Sequence, residues 1–130
     1  MTRDERAAIA RALADAEEGT TGRIGVRVVP DRDVDAFDRA KREFKQAGLH
    51  RHAHENAVLI LVAPKARRFA IVGDRALHQR VGDAFWRDVV ADTKPFFSRG
   101  ALLDGIVYAI GRAGDALRAH FPHPTQEEVL

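Results

Sequence analysis

Two polar residues stand at the ends of apolar segments, where their oxygen atoms could bind a metal ion. Asp74 follows Gly73 directly after one such segment, and Asn56 opens another. A carboxylate and an amide oxygen are suitable ligands for calcium or magnesium. However, an aspartate before a helix also caps its first N–H groups, and an asparagine can bond to loop backbone. Both roles therefore remain open for each residue.

Three of the six histidines alternate in one short segment, at His50, His52 and His54. A His-x-His pair can hold zinc if it lies on a strand. The alternative is a solvated loop. The sequence offers no cysteine as a further ligand.

The residues needed for covalent catalysis are scarce. Cysteine is absent, which excludes disulfides, thiolate metal sites and a cysteine nucleophile, and Ser98 is the only serine. Neither a Gly-x-Ser-x-Gly motif nor a glycine-rich phosphate loop is present. Any hydrolysis would therefore have to use carboxylates and a metal-activated water.

Charge and hydropathy exclude further classes of function. The 21 basic and 19 acidic residues give a net charge of only +2, and they alternate instead of forming the basic stripe of a nucleic-acid binder. We therefore predict no nucleic-acid partner. The longest apolar run, Ala57 to Ala63, is too short to span a bilayer, and the first residues lack the apolar core of a signal peptide. These features predict a cytoplasmic chain without membrane insertion.

Periodicity predicts the elements that must position the polar residues. Helical spacing follows Thr2 as far as Gly19, alternation predicts a strand over 23–29, and a second helix follows Asp33 and stops at Gly48. The fully apolar run 57–63 predicts a central strand covered on both faces. Segment 68–72 predicts a third strand, and two helices follow, with an interruption at Pro95.

The predicted order is α-β-α-β-β-α-α, in one domain over residues 1–121 with a loose tail over 122–130. The first two strands, joined through a helix, should be parallel, and the third antiparallel to the second. Helices on both faces give a three-layer α/β/α sandwich with a small mixed sheet. This topology places Arg23, Asn56, Asp74 and the histidine segment at one end of the sheet, which we call the rim.

Several segments resemble, in order and spacing, the TPM domain family. The resemblance extends from about Glu17 to Phe121, and no single motif decides it. The segments that carry it are 18–24, 56–62, 69–74, 82–86, 96–100 and 103–106.

The TPM resemblance implies a Rossmann-like α/β/α sandwich. It also implies relatives with acid phosphatase activity, relatives that repair photosystems or assist receptors, and relatives that bind calcium. Most such relatives are exported or membrane-anchored. Because Asp104 lies in the TPM-like segment 103–106, it joins Asn56 and Asp74 as a candidate metal ligand.

One position departs from the TPM pattern. Many relatives have glutamate where this chain has Arg23. A guanidinium there would pair with Asp74 across the rim and oppose a cation. We therefore predict a stand-alone TPM-type module that binds a partner protein or a divalent cation, calcium or magnesium, with little or no catalysis. The alternative is a metal-dependent phosphomonoesterase.

Overall fold

The computed structural model describes residues 1–124. Its elements occur in the predicted order. They are α1 (Arg3–Glu17), β1 (Arg23–Val28), α2 (Ala36–Gln46), β2 (Ala57–Ala63), β3 (Arg68–Gly73), α3 (Arg75–Ser98) and α4 (Leu102–His120), with short 3-10 turns at Leu49–Arg51 and Pro64–Ala66.

The sheet has the order β1-β2-β3, with β1 parallel and β3 antiparallel to β2. All seven residues of β2 are fully buried, because helices cover both faces of this strand. The prediction of a central strand with these partners is confirmed. Since successive side chains alternate between faces, β2 contributes to two separate cores.

The two cores define three layers. On one face, Ala40 and Phe44 of α2 pack against Leu59 and Leu61 of β2. On the other face, α1, α3 and α4 cover Val58, Ile60 and Val62. The α/β/α sandwich is therefore confirmed. The Rossmann-like description is not confirmed, because the sheet has one parallel pair where a Rossmann fold repeats parallel β-α-β units.

Helix ends follow local chemistry, with three departures from prediction. The Thr2–Glu5 capping box is formed. For α2 the cap is Asp35, whose Oδ1 accepts the N–H of Asp38 (3.0 Å), and not the predicted Asp33. In α3 the helix breaks at Gly82, where φ is 79°, and it continues through Pro95, which was predicted to interrupt it.

The end of α4 is tied to the loop that precedes β1. Thr20 Oγ1 donates to the carbonyl of Phe121 (2.6 Å), and Pro122 pairs with Thr20 in an isolated bridge. The N–H of His123 donates to the carbonyl of Gly19 (3.0 Å). The predicted loose tail thus begins with two bonded residues, and its residues 125–130 lie outside the described part. Within residues 1–124, no helix is long and apolar enough to cross a membrane.

Candidate functional site

The rim is the end of the sheet where β1 and β2 begin and β3 ends. In the register, Arg23 lies beside Ala57 on one side of β2, and Gly73 lies beside Val58 on the other. The N–H of Asp74 donates to the carbonyl of Ala57 (2.9 Å), which extends the ladder by one residue. The topology therefore places Arg23, Asn56 and Asp74 at this end, as the sequence predicted.

Asp74 caps helix α3. Its Oδ1 accepts the N–H of Arg75 (2.8 Å), and its carbonyl accepts the N–H of His78 (2.8 Å). The capping role, one of the two predicted, is thus formed. The second carboxylate oxygen, Oδ2, is buried and has no hydrogen-bond partner among the described residues. Asp74 therefore has one oxygen that the fold does not use.

Asn56 is fully buried immediately before β2. Its Nδ2 donates to Thr21 Oγ1 (3.0 Å), which ties the start of β2 to the loop before β1. Its Oδ1 is buried and unpartnered within residues 1–124. Asn56 thus does have the predicted bond to a loop, although to a side chain, and it also offers a free oxygen.

Glu55 is the rim residue that the sequence analysis missed. Its two carboxylate oxygens accept from Arg75 Nε and a terminal guanidinium nitrogen, both at 2.9 Å. Its backbone carbonyl accepts the N–H groups of Ala76 (3.0 Å) and Leu77 (3.3 Å), so the loop caps the first turn of α3. The residue adopts a φ of 50°, which is unusual for a side chain of this size.

The ion pair with Arg75 affects the titration of Glu55. Hydrogen bonds from the Arg75 guanidinium hold the pKa of the Glu55 carboxyl below its ordinary value. Nothing in the local sequence marks this pair, because its members are 20 residues apart and meet only through the β2–β3 hairpin. The rim therefore has a fixed anion–cation pair next to Asp74.

The histidine segment does not form a metal cluster. His52 Nε2 donates to the carbonyl of Thr21 (2.8 Å), so this ring is engaged in holding the loop before β1. His50 and His54 are exposed. No group of three or more histidine, aspartate or glutamate residues within residues 1–124 is arranged to hold a metal ion. The zinc interpretation thus has no geometric support.

Arg23 does not pair with Asp74. It is exposed, and β2 lies between its strand and β3, so two interstrand spacings, about 10 Å, separate the backbones. No ion pair joins the two side chains in the described part of the chain. The predicted contact is therefore wrong, because the topology brings both residues to the rim but on opposite sides of β2.

Asp104 is not at the rim. It is exposed in the first turn of α4, whereas the last turn of that helix reaches the rim through Thr20. Asp104 precedes Leu117 by 13 residues, which corresponds to about 20 Å of helix. Asp83 contacts His78 Nε2 (3.0 Å), and Asp92 forms an ion pair with Arg112 (3.1 Å). Asp104 therefore cannot share an ion with Asn56 and Asp74.

The protein is an α/β/α sandwich with a small mixed sheet. Polar residues lie at the start of its central strand. The model of the TPM domain family matches residues 1–116. The chain therefore belongs to the TPM domain family, as its segments predicted.

Three solved structures are similar to this chain. The BA42 protein from the psychrophilic bacterium Bizionia argentinensis is 34% identical, with 98% of this chain and 88% of that chain covered and a TM-score of 0.86. Two others share the fold at low identity. An N-terminal domain from P. gingivalis is 16% identical, with 96% of this chain and 83% of that chain covered and a TM-score of 0.79. The N-terminal domain of cg2496 from Corynebacterium glutamicum is 15% identical, with 90% of this chain and 74% of that chain covered and a TM-score of 0.68. Among curated proteins, none matches.

Proposed function

We propose that this TPM domain is a non-catalytic binding module whose ligand at the rim is a divalent cation, calcium or magnesium. The observation that carries the proposal is the pair of buried, unpartnered oxygens, Asn56 Oδ1 and Asp74 Oδ2. Buried polar atoms are nearly always bonded. Carboxylate and amide oxygens are the ligand types that hard cations prefer. Both oxygens belong to residues at the same end of the sheet, which supports the proposal.

The composition of the rim limits the expected affinity. Two side chains provide few of the six to eight oxygens that calcium takes, so backbone carbonyls and water must supply the others. Within residues 1–124 there is no cluster of three acidic or histidine side chains to supplement them. We therefore expect a dissociation constant of roughly 10⁻⁴ to 10⁻³ M, as in weak calcium modules.

The test is the calcium dependence of stability in an Asp74→Asn variant. Asparagine also caps helices well, so this variant keeps the start of α3 but lacks the carboxylate charge. Calcium at ten times the dissociation constant should stabilise the unmodified protein by about 1.4 kcal/mol and raise its melting temperature. The variant should show no such rise. Asp104→Asn, at the far end of α4, is the matched control and should respond as the unmodified protein does.

Two results would reject cation binding at the rim. One is an equal calcium response in the unmodified protein and in Asp74→Asn. The other is no response of the unmodified protein to calcium or magnesium at millimolar concentrations. Arg23→Glu gives an independent measurement by calorimetry. Reversing this charge about 10 Å from the ion, with salt screening, should strengthen binding by about 0.5 kcal/mol, roughly twofold.

The phosphomonoesterase alternative has less support. Phosphate hydrolysis needs a nucleophile with its base, or a metal-activated water beside a phosphate cradle. The only serine, Ser98, is exposed at the end of α3, and the Asp74 carboxylate caps the other end of the same helix. Neither arrangement places a nucleophile next to a base, so we favour the binding module.

A further inference from the structure

A cleft of about 770 Å³ runs along the outer edge of β3. Its floor is β3 itself, from Phe69 to Gly73. Phe37 of α2 forms one wall, and α3 forms the other through residues that include Trp86, Val90 and Lys94. We call this cleft the β3 groove. Because helices stand on both sides of a strand edge, the groove has the shape of a slot for one more strand.

The floor of the β3 groove presents unpaired backbone groups. In an antiparallel ladder, alternate residues direct their N–H and C=O groups toward the partner strand. The bond from Asp74 N–H to the Ala57 carbonyl fixes the phase of this ladder. Phe69, Ile71 and Gly73 therefore direct theirs away from β2. Within residues 1–124 no strand lies on that side, and no hydrogen bond reaches these groups.

The opposite edge of the same sheet is protected. The outward N–H of Ile24 in β1 donates to Glu17 Oε2 (2.8 Å), and the Val26 carbonyl accepts from the Arg27 guanidinium (3.3 Å). Folded proteins usually block exposed strand edges in such ways, because an open edge pairs with other chains. The β3 edge has no equivalent block among the described residues.

The walls of the β3 groove define what kind of strand fits. Phe37 is 53% exposed, although it is a large apolar side chain, and Trp86 and Val90 add apolar surface opposite. Arg87 and Lys94 on α3 also line the groove, and neither forms an ion pair within residues 1–124. They are two helical turns apart, about 10.5 Å. The groove therefore has apolar walls and two positive charges that form no ion pair in the described part of the chain, whereas its one acidic lining residue, Asp83, contacts His78 (3.0 Å).

We propose that the β3 groove binds an extended segment of a partner protein, in which acidic residues alternate with apolar ones, as a fourth strand beside β3. Backbone bonds to Phe69, Ile71 and Gly73 would hold it, as in other cases of strand addition. Its acidic side chains would pair with Arg87 and Lys94. This site lies along the strand edge and does not depend on cation binding at the rim.

The test uses a blocked six-residue peptide of alternating glutamate and valine, with the full-length protein. Binding should change the fluorescence of Trp86, the only tryptophan in the chain. By NMR hydrogen exchange, the amides of Phe69, Ile71 and Gly73 should become protected, whereas those of Ala70 and Val72 already bond to β2. The double variant Arg87→Glu, Lys94→Glu should weaken binding about tenfold. Arg11→Glu, Lys45→Glu, away from the groove, is the matched control.

Two further peptides distinguish strand addition from non-specific binding. A peptide with the same side chains but N-methylated at alternate residues should not bind, and a lysine–valine peptide should bind at least several-fold more weakly. Equal binding of the N-methylated peptide, or binding without protection of the three amides, would overturn the proposal. Protection of these amides in the free protein would also overturn the proposal. If that protection increased with protein concentration, the occupant of the groove would be a second copy of the chain. The absence of binding at millimolar peptide would likewise overturn the proposal.

Discussion

At the scale of single residues, the start of α3 is defined by Glu55 as much as by Asp74. The carbonyl of Glu55 accepts two N–H groups of the first helical turn, and its carboxylate clamps Arg75. These bonds hold Glu55 at positive φ, a conformation that costs free energy unless its surroundings impose it. This local strain is located beside the two free oxygens of the rim, which is where a binding site would require a fixed backbone.

The Glu55–Arg75 pair should make stability depend on pH on the acid side. The pKa of Glu55 is lowered in the folded protein by its bonds from Arg75. The pair therefore stabilises the fold above the unfolded glutamate pKa, and this contribution is lost as pH falls through the folded pKa. In urea unfolding from about pH 6 to about pH 3, the unmodified protein should lose more stability than Glu55→Gln. Glu18→Gln, at an exposed glutamate, is the control; equal pH profiles for Glu55→Gln and the unmodified protein would contradict this expectation.

At the scale of elements, α1 and α4 pack through small residues. A Cβ atom added at Gly114 would lie 2.8 Å from the Cβ of Ala16 and 3.0 Å from its carbonyl oxygen. Contacts this short require the helices to move apart. Gly111 lies one turn earlier on α4 and faces open space. Substituting each glycine by alanine thus distinguishes the effect of close packing, at Gly114, from that of helix propensity alone, at Gly111.

Gly114→Ala should destabilise the protein by about 1–3 kcal/mol, since over-packing forces α1 away from α4. Gly111→Ala should stabilise it by about 0.5–1 kcal/mol, because alanine favours the helix and nothing blocks its methyl group. Both are measured by urea unfolding. If the two substitutions changed stability in the same direction and to the same extent, the close packing at Ala16 would not matter to the fold.

Hydropathy patterns predicted the elements because burial determines them. The unbroken apolar run of β2 requires cover on both faces of this strand. The helical crossover from β1 to β2 then makes these two strands parallel. The hydropathy pattern did not predict that α3 continues through Pro95. Pro95 is tolerated because the carbonyl that it leaves without a donor belongs to Ala91, an exposed residue that water can reach. The sequence predicted which residues lie at the rim, but it did not predict the contacts between them. Glu55 and Arg75, for example, meet only after the hairpin forms.

At the scale of the whole molecule, Thr20 connects the first loop to the end of the last helix. The residue is buried, and its hydroxyl both donates to the carbonyl of Phe121 and accepts the N–H of Gly22 (3.1 Å). The N–H of the neighbouring Thr21 donates to the same Phe121 carbonyl (3.1 Å). The two bonds to Phe121 join residues about a hundred positions apart, so they depend on the complete fold.

Thr20→Val should destabilise the protein by about 1–3 kcal/mol, because it removes the hydroxyl and leaves the buried N–H of Gly22 without its acceptor. Thr20→Ser keeps the hydroxyl and should retain most of the stability. The midpoint of urea unfolding reports both. A valine variant as stable as the serine variant would show that packing of the Thr20 methyl group, and not its hydrogen bonds, matters here.

The sequence separation of the paired strands leads us to expect an order of events in folding. Partners in the β2–β3 hairpin are joined through the short Pro64–Ala66 turn, whereas Arg23 and Ala57 are 34 positions apart in the sequence. Closing the longer loop costs more entropy, so the hairpin should form first and β1 should join it later. In that interval β2 presents an apolar and unpaired edge. The newly synthesised chain is therefore most vulnerable to aggregation before β1 docks.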